Sequence, residues 1–370
     1  MKGSGMAKAA SPFGKDSRVK TLKKHLSEAG ALTAATAWKF VYEELLWIDG
    51  STGLAHLYES DKAQPGRSLW YPRSITFTSE LIAGFGLRDR QELKARIDRL
   101  FRACLEKLVE SKQGAADGEE VIQAVVEASE ESGLPAELVE KVEEAVPAES
   151  DAYVPDADLV TEFATLLIDL VRMEEWEAEV LARRLVARAR YFFTVERKRQ
   201  NVLGEGFEDL VHLLALEIAR IPAVRMKVRQ KADLLPGFKR QSSRERIESP
   251  DFAIIEDDRT VLLASVKWSL RQDRQKQLSD ELDCFVELLS QEAFPEYVLI
   301  TNEYDPGRLI NTAGLARRDE KIDCIYHINL DLPQAALSDH PKVVDVRKLM
   351  DSKQLRSLED MLDDWGLRFH

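Results

Sequence analysis

The chain has 370 residues and a mass of 42.0 kDa, enough for one large domain or two to three smaller ones with a sizeable core. Hydrophobic residues make up 44% of the sequence and charged residues 32%, a balance that indicates a soluble globular protein and excludes a disordered chain. No uncharged apolar run approaches the ~20 residues that a membrane span requires, so we expect no membrane partner. The 3 cysteines and 6 histidines lack the spacing of a disulfide framework or a zinc site.

The start of the chain and its charge distribution bear on location and partners. The first ten residues, MKGSGMAKAA, lead into no apolar stretch, so we expect no secretory signal and a cytoplasmic protein. The net charge is −13, but residues 106–180 hold 22 acidic and 4 basic residues, whereas residues 183–246 hold 16 basic and 7 acidic ones. Such asymmetry is a hint of an electrostatic interaction surface. On charge alone, however, a solvated acidic helical region beside an ordinary basic helix is the favoured interpretation.

Apolar residues recur at helical spacing through most of the first half of the chain. The pattern predicts three long helices, at residues 17–48, 91–112 and 159–199. Glycine, proline and serine interrupt residues 49–79, which predicts loops with short strands, and prolines within 113–158 predict short helices. We therefore predict a mostly helical N-terminal region over residues 1–181, which contains the acidic segment 106–180.

The pattern changes after Gly204. An amphipathic helix is predicted around residues 207–221, and strands and helices then follow one another closely. Strands are predicted at 247–257, 260–268, 296–302 and 322–329, and helices at 275–292, 307–316 and 345–365. This order predicts an α/β domain over residues 182–370, in which helices cover a short mixed sheet.

A candidate for chemistry lies on the predicted hairpin. Pro250 and Asp251 open its first strand, and Lys267 lies 16 residues later on the second. A tight turn at Asp257–Asp258 brings the two side chains together, and alternation puts Ser265 on the same strand face as Lys267. A carboxylate that holds a divalent metal and a lysine that stabilises charge on a phosphate suit metal-assisted phosphodiester hydrolysis. Because serine stands two residues before the lysine, the site needs a further acid.

Three glutamates are candidates for that acid. Glu281, 14 residues after Lys267, lies in the first turns of the following helix, beside its buried stripe. Glu208 lies early in the preceding helix, next to Phe207, and Glu256 is the next candidate. Taken singly, such a glutamate is most often a solvated surface charge, so the hypothesis depends on the combination.

A cluster of charged residues separates the lysine from Glu281. Arg271, Asp273 and Arg274 follow Lys267 at the predicted junction between strand and helix. Two arginines this close suit two adjacent guanines, because guanidinium binds O6 and N7 bidentately, and the aspartate can accept from cytosine N4. The alternative interpretation is a set of mutual ion pairs that caps the helix. A similar triplet at residues 88–90 has no such context.

Together these motifs resemble the PD-(D/E)xK nucleases, and among them the type II restriction endonucleases that cut sites containing CCGG. In that group a PD aspartate is followed by S-x-K in place of E-x-K, then by R-x-D-R and by a displaced glutamate on the next helix. The matching residues of this chain are Pro250–Asp251, Ser265–Val266–Lys267, Arg271–Gln272–Asp273–Arg274 and Glu281. The resemblance covers about residues 204–300 and does not reach residues 1–181.

The resemblance implies a role for each matching residue and a restriction-endonuclease-like mixed sheet flanked by helices. Asp251 and Glu281 would bind Mg²⁺, and Lys267 would be the catalytic lysine. Glu208 would match the family's upstream helical acid, with Glu205 close by as a rival for that position. The residues that would read the C:G pairs are Arg271, Asp273 and Arg274.

The function that follows is a type II restriction endonuclease, which hydrolyses double-stranded DNA with Mg²⁺ and leaves 5′-phosphate ends. A palindromic site implies a homodimer or a higher homo-oligomer, and the restriction-modification system implies a cognate methyltransferase. The gap from Asp251 to Lys267 is short, whereas several relatives carry a long insertion there, so an interrupted CCNGG or CCWGG site stays open beside CCGG. Further alternatives are a structure-specific repair nuclease of the same fold and, in a different class, a non-catalytic helical adaptor.

Overall fold

The computed structural model describes residues 12–46, 81–112, 164–165, 198, 201–241, 247–317, 320–331 and 341–370. The predicted loops at 49–79 and the short helices at 113–158 lie outside these ranges. So do almost all of the predicted helix at 159–199 and most of the acidic segment 106–180. Within the described part of the chain, no helix is long and apolar enough to cross a membrane.

The helices of the N-terminal region are shorter than predicted. Among the described residues they include α1 (Lys15–Glu28), α2 (Ala34–Leu45), α3 (Arg90–Arg96) and α4 (Arg99–Lys112), and residues 81–85 are helical as well. The single helix predicted at 17–48 is wrong because Gly30 has φ +75°, a left-handed conformation that ends α1. The single helix predicted at 91–112 is wrong for a similar reason, since Asp98 has φ +63°. Apolar residues keep their helical spacing across both breaks, so periodicity alone conceals them.

The predicted helix–hairpin order is confirmed in the second half. Helix α5 covers residues 201–217, and the hairpin consists of β2 (Phe252–Glu256) and β3 (Arg259–Lys267), paired antiparallel. Asp257 and Asp258 form its turn with φ +47° and +57°. Consecutive left-handed residues are typical of the tight turns whose twist matches that of the flanking strands.

The sheet has six strands, in the order β1-β2-β3-β4-β7-β8. Its remaining strands are β1 (Met226–Val228), β4 (Glu296–Thr301), β7 (Cys324–His327) and β8 (Leu355–Ser357). The first three strands pair antiparallel, and β3, β4, β7 and β8 run parallel. A separate two-stranded ribbon consists of β5 (Ala316–Arg317) and β6 (Glu320–Lys321). The predicted α/β class with a mixed sheet and flanking helices is therefore confirmed.

Among the described residues, the second half of the sheet is accompanied by α6 (Gln272–Leu288), α7 (Pro306–Ala313), α8 (Val343–Asp351) and α9 (Leu358–Phe369). The single helix predicted at 345–365 is wrong, because β8 lies between α8 and α9. Lys353 has φ +60° where the chain turns into that strand. Ser357 then begins α9 by accepting a hydrogen bond from the Asp360 N–H, as N-cap serines do.

Apolar side chains fill both faces of the sheet. Along β3, Leu262, Ala264 and Val266 belong to one core cluster, which also holds residues of α2, α4, α5 and α9. Leu263 belongs to the other cluster, which α6 and α7 cover. Ser265 lies on this second face, so the alternation predicted for the strand is confirmed. The N-terminal helices thus share a core with the sheet, and the division at residues 181–182 stays a prediction.

Candidate active site

The open end of the β2–β3 hairpin holds a buried ion pair. Asp251 immediately precedes β2 and Lys267 ends β3. The antiparallel register, with Phe252 opposite Ala264, therefore brings Asp251 to the level of Ser265, two residues before Lys267. The Asp251 Oδ2 atom accepts hydrogen bonds from Lys267 Nζ at 2.7 Å and from the Val266 N–H at 2.6 Å. The predicted proximity of this carboxylate and this lysine is confirmed.

Glu281 brings a second carboxylate to the lysine. It lies in the middle of α6 rather than in its first turns, and its side chain is 2% exposed. Its Oε1 atom lies 3.9 Å from Lys267 Nζ, so the ammonium group lies between two carboxylates. Glu281, the further acid predicted for this site, therefore lies beside Lys267.

The other oxygen of Glu281 is held by two hydroxyls. Ser265 donates to Oε2 at 2.5 Å and Tyr297 donates to it at 3.0 Å, and both donors are fully or almost fully buried. Ser265 therefore takes part in the site although it carries no carboxylate. Its hydroxyl holds the displaced acid in place.

Burial and neighbouring charges shift the pKa values of Glu281 and Lys267. Burial raises the pKa of Glu281, although Lys267 and the Ser265 hydroxyl oppose that shift. Burial lowers the pKa of Lys267, but the carboxylates of Asp251 and Glu281 outweigh it, so this pKa lies above its usual value. Lys267 is therefore an ammonium group at neutral pH.

Glu208 lies at the edge of the same cluster. Its Oε2 atom accepts a hydrogen bond from Arg229 Nε at 2.7 Å, and the guanidinium Nη2 also contacts it. Burial and the nearby charge of Asp251 raise the pKa of Glu208 to about 7, against the opposing effects of Arg229 and Lys267. Glu208 is thus close enough to Asp251 for their charges to interact, and Arg229, which directly follows β1, holds the Glu208 carboxylate.

The arginine cluster lies at the predicted junction between strand and helix. Arg271 precedes the first residue of α6, and Arg271 and Asp273 are each 62% exposed, Arg274 45%. The guanidinium Nε atoms lie 3.6 Å and 3.9 Å from the Asp273 carboxylate, which makes loose ion pairs in solvent. The side chains are thus accessible, and their role in base recognition stays a prediction.

The further candidate Glu256 is wrong, because the structure places it away from this cluster. It pairs in register with Arg259 at the turn end of the hairpin, whereas Asp251 and Lys267 lie at the open end. Its carboxylate binds Arg225 at 3.0 Å. The turn predicted at Asp257–Asp258 already implied this separation, because Glu256 directly precedes that turn.

Asp251 and Glu281 are the residues that could hold a divalent cation. Mg²⁺ is commonly bound by one or two carboxylates together with waters and substrate phosphates, so this pair fits it. The lysine ammonium that already lies between them shows that the pair attracts positive charge. Within the described ranges, no three His, Cys, Asp or Glu side chains form a ready-made metal cage.

Sequence reasoning missed three partners of this site: Arg229, Gln277 and Tyr297. Arg229 lies just beyond a strand too short to show alternation, and its contact with Glu208 depends on how β1 pairs with β2. Gln277 is predictable in hindsight, because it lies one helical turn before Glu281.

Comparisons of this chain with protein-family models and with curated proteins find no match.

Proposed function

We propose that this protein is a Mg²⁺-dependent endonuclease of the PD-(D/E)xK type that hydrolyses double-stranded DNA. The observation that carries the proposal is the convergence of Asp251, Lys267 and Glu281 at the open end of one hairpin. A second carboxylate from α6, held by the serine of S-x-K, is what the displaced-acid motif requires. The three antiparallel strands followed by parallel ones are compatible with a restriction-endonuclease-like core.

The residues of the cluster divide the work of phosphodiester hydrolysis. Asp251 and Glu281 would hold the metal ion, which when bound supplies positive charge to the scissile phosphate and lowers the pKa of bound water. Lys267 would donate a hydrogen bond to the phosphate or to the attacking water and stabilise the negative charge that develops. Its ammonium form, maintained by the two carboxylates, suits that role. When ionised, above a pH of about 7, Glu208 would add negative charge beside Asp251 and strengthen cation binding at the site.

Site specificity is the finer part of the proposal. The exposed side chains of Arg271, Asp273 and Arg274 precede or begin the helix that carries Glu281, so base contacts there would lie near the cleavage chemistry. We propose that they read C:G pairs within a palindromic CCGG site, as a type II restriction endonuclease would. Reading both halves requires a homodimer or a higher oligomer, with a cognate methyltransferase to protect host DNA.

One digestion experiment tests the nuclease proposal. A plasmid of known sequence is incubated with the full chain and Mg²⁺, and the ends are sequenced. Discrete products with 5′-phosphates are expected from the wild type and none from Lys267→Ala or Asp251→Asn, whereas specific binding in Ca²⁺ should persist. Glu256→Gln is the matched control, because it removes a carboxylate from the far end of the same hairpin. Cleavage by the Lys267 and Asp251 variants at the wild-type rate would refute the proposal.

A further inference from the structure

A continuous hydrogen-bonded chain connects the surface of α6 to the buried carboxylate of Glu281. Arg274 Nη1 donates to the side-chain oxygen of Gln277 at 2.9 Å, and Gln277 Nε2 donates to Glu281 Oε1 at 2.8 Å. The three residues follow one another at intervals of three and four, which places them on one face of the helix. The chain begins at a side chain that is 45% exposed and ends at one that is 2% exposed.

The direction of each bond is fixed by chemistry. A guanidinium group can only donate, so the Gln277 oxygen must face Arg274. The amide nitrogen of Gln277 then faces Glu281, where it donates to Oε1. An arginine at one end and an acceptor at the other therefore hold the carboxamide in a single orientation.

The two oxygens of Glu281 are held in different ways. Oε2 accepts from Ser265 and Tyr297, both deep in the core. Oε1 lies 3.9 Å from Lys267 Nζ and has Gln277 as its hydrogen-bond donor. Two core hydroxyls thus fix one oxygen, whereas the position of the oxygen that faces the lysine depends on a side chain controlled from the surface.

We propose that Gln277 is a positioning residue that couples Arg274 at the DNA-facing end of α6 to the Glu281 carboxylate. This inference rests on the proposed nuclease function. When Arg274 is fixed against a base, Gln277 keeps its orientation and Oε1 stays placed for the cation. The bonds are already formed without DNA, so a different base matters only where it draws Arg274 away from Gln277. Gln277 then loses its anchor, and Oε1 loses its donor. Recognition would then control the rate of cleavage as well as binding.

The test compares four full-length proteins: wild type, Arg274→Ala, Gln277→Ala and the double variant. Mn²⁺ affinity is measured by titration calorimetry without DNA, and cleavage is measured as the single-turnover rate at saturating DNA. Residues that orient a metal-binding carboxylate typically affect affinity or activity at least 10-fold, so Gln277→Ala should weaken Mn²⁺ binding and slow cleavage by about 10-fold. Arg274→Ala should slow single-turnover cleavage in the wild-type background and have no further effect when Gln277 is absent.

Two additional variants separate coupling from general damage to the helix. Gln277→Leu keeps a side chain of similar size without charge but cannot donate to Glu281, so it should bind Mn²⁺ as weakly as Gln277→Ala. Gln275→Ala, on the same helix, removes a glutamine whose side chain contacts the Arg308 carbonyl instead and should behave as wild type.

Each result decides the matter. Wild-type Mn²⁺ affinity and rate in Gln277→Ala would overturn the inference while leaving the nuclease proposal intact. So would an Arg274→Ala effect on the rate that is equally large with and without Gln277. A wild-type chain that neither binds Mn²⁺ nor cuts DNA would remove the proposed function and, with it, the coupling.

Discussion

At the scale of single residues, we propose that Ser265 and Glu281 together do the work of the strand acid of an E-x-K motif. The serine hydroxyl lies 2.5 Å from the Glu281 carboxylate and is fully buried. We expect Glu281→Ala to be close to inactive, because one carboxylate of the pair is lost. Adding Ser265→Glu should restore part of the cleavage, since the new side chain can occupy the space that Glu281 leaves. The restoration should be partial, as catalytic groups must be held to within about 0.5 Å.

The comparison requires single-turnover rates at several Mg²⁺ concentrations, because a misplaced ligand first weakens metal binding. The single variant Ser265→Glu is the control, because it measures what the larger side chain does to the protein while Glu281 is still present. It would force two carboxylates into one buried site, and we expect it to lower the free energy of unfolding. Full activity of Glu281→Ala would contradict the assignment and direct attention to Glu208, the other carboxylate near Asp251.

Glu208 should make stability depend on pH in the metal-free protein. Burial raises its pKa from 4.5 to about 7, so between these values the folded state retains a proton that the unfolded chain has lost. Its contribution to stability is therefore complete below about pH 4.5 and is lost as the pH rises through about 7. Glu208→Gln stays neutral and still offers Arg229 an acceptor. Its free energy of unfolding, relative to wild type, should thus increase by roughly 2–4 kcal/mol over that range.

Urea unfolding in EDTA at several pH values measures the free energy of unfolding of Glu208→Gln and of the wild type. Subtracting one from the other cancels the titration of most other groups, because both proteins share them. Glu217→Gln, at an exposed position of the same helix, is the matched control. A Glu208→Gln difference that stays constant with pH would show that the ion pair with Arg229 keeps Glu208 charged throughout.

At the scale of elements, the start of α6 should determine which DNA is bound. If the proposed base recognition holds, Arg271→Ala and Arg274→Ala would each remove one bidentate guanine contact, at a cost of about 1–3 kcal/mol of discrimination per contact. In a two-fold complex each substitution acts twice, so specific binding in Ca²⁺ should fall sharply while salt-sensitive nonspecific binding persists. Lys276→Ala, an exposed residue of the same helix, is the control. Equal losses of specific and nonspecific affinity would identify these arginines as phosphate contacts and refute the CCGG proposal.

The elements that the sequence predicted well are those with a strong period and a clear boundary. Strands β2 and β3 are largely apolar runs that meet at an acidic turn, and β4 is a six-residue strand with an apolar centre. Strands β1 and β8 have three residues each, too few to show a period of two, and were missed. Helix breaks at left-handed residues were missed as well, because apolar spacing continues across them.

The candidate site was predictable to the extent that local structure determines it. One hairpin brings Asp251 to Lys267, and the next helix brings Glu281, so three residues within one short stretch of chain suffice. The contacts of Arg229 and Tyr297 depend instead on which strands become neighbours. Strand β1 pairs with β2, and β4 pairs with β3, and neither pairing can be derived from periodicity alone.

At the scale of the whole molecule, the N-terminal helices are part of the core that supports the sheet. Helix α2 packs against α9, and its Tyr42 hydroxyl donates to the Asn302 side chain at 2.8 Å, directly after β4. In α1, Arg18 is 2% exposed and pairs with Asp209 of α5 at 2.9 Å. These buried polar contacts join the helical region to the α/β part of the chain, so the two are expected to unfold together.

Removal of the N-terminal helices should therefore destabilise the α/β part of the chain. A chain that begins at residue 183 lacks α1 to α4 and so exposes apolar side chains of α5 and α9 that share one core cluster with α2 and α4 in the whole protein. It also leaves Asp209 in a largely apolar surface without Arg18. We expect such a chain to be insoluble, or to unfold at a clearly lower temperature, and to cut no DNA at temperatures where the full chain is active.

Tyr42→Phe in the full chain is the matched variant, because it keeps the apolar packing and removes only the hydroxyl. Since Asn302 and Tyr304 then lose a buried partner, this variant should cost about 1–3 kcal/mol of stability and still cleave DNA. Thermal unfolding followed by circular dichroism, together with the plasmid digestion, measures both proteins. A truncated chain that unfolds cooperatively at the temperature of the full chain would contradict this expectation. It would show that residues 183–370 form a complete core of their own, to whose stability the N-terminal helices do not contribute.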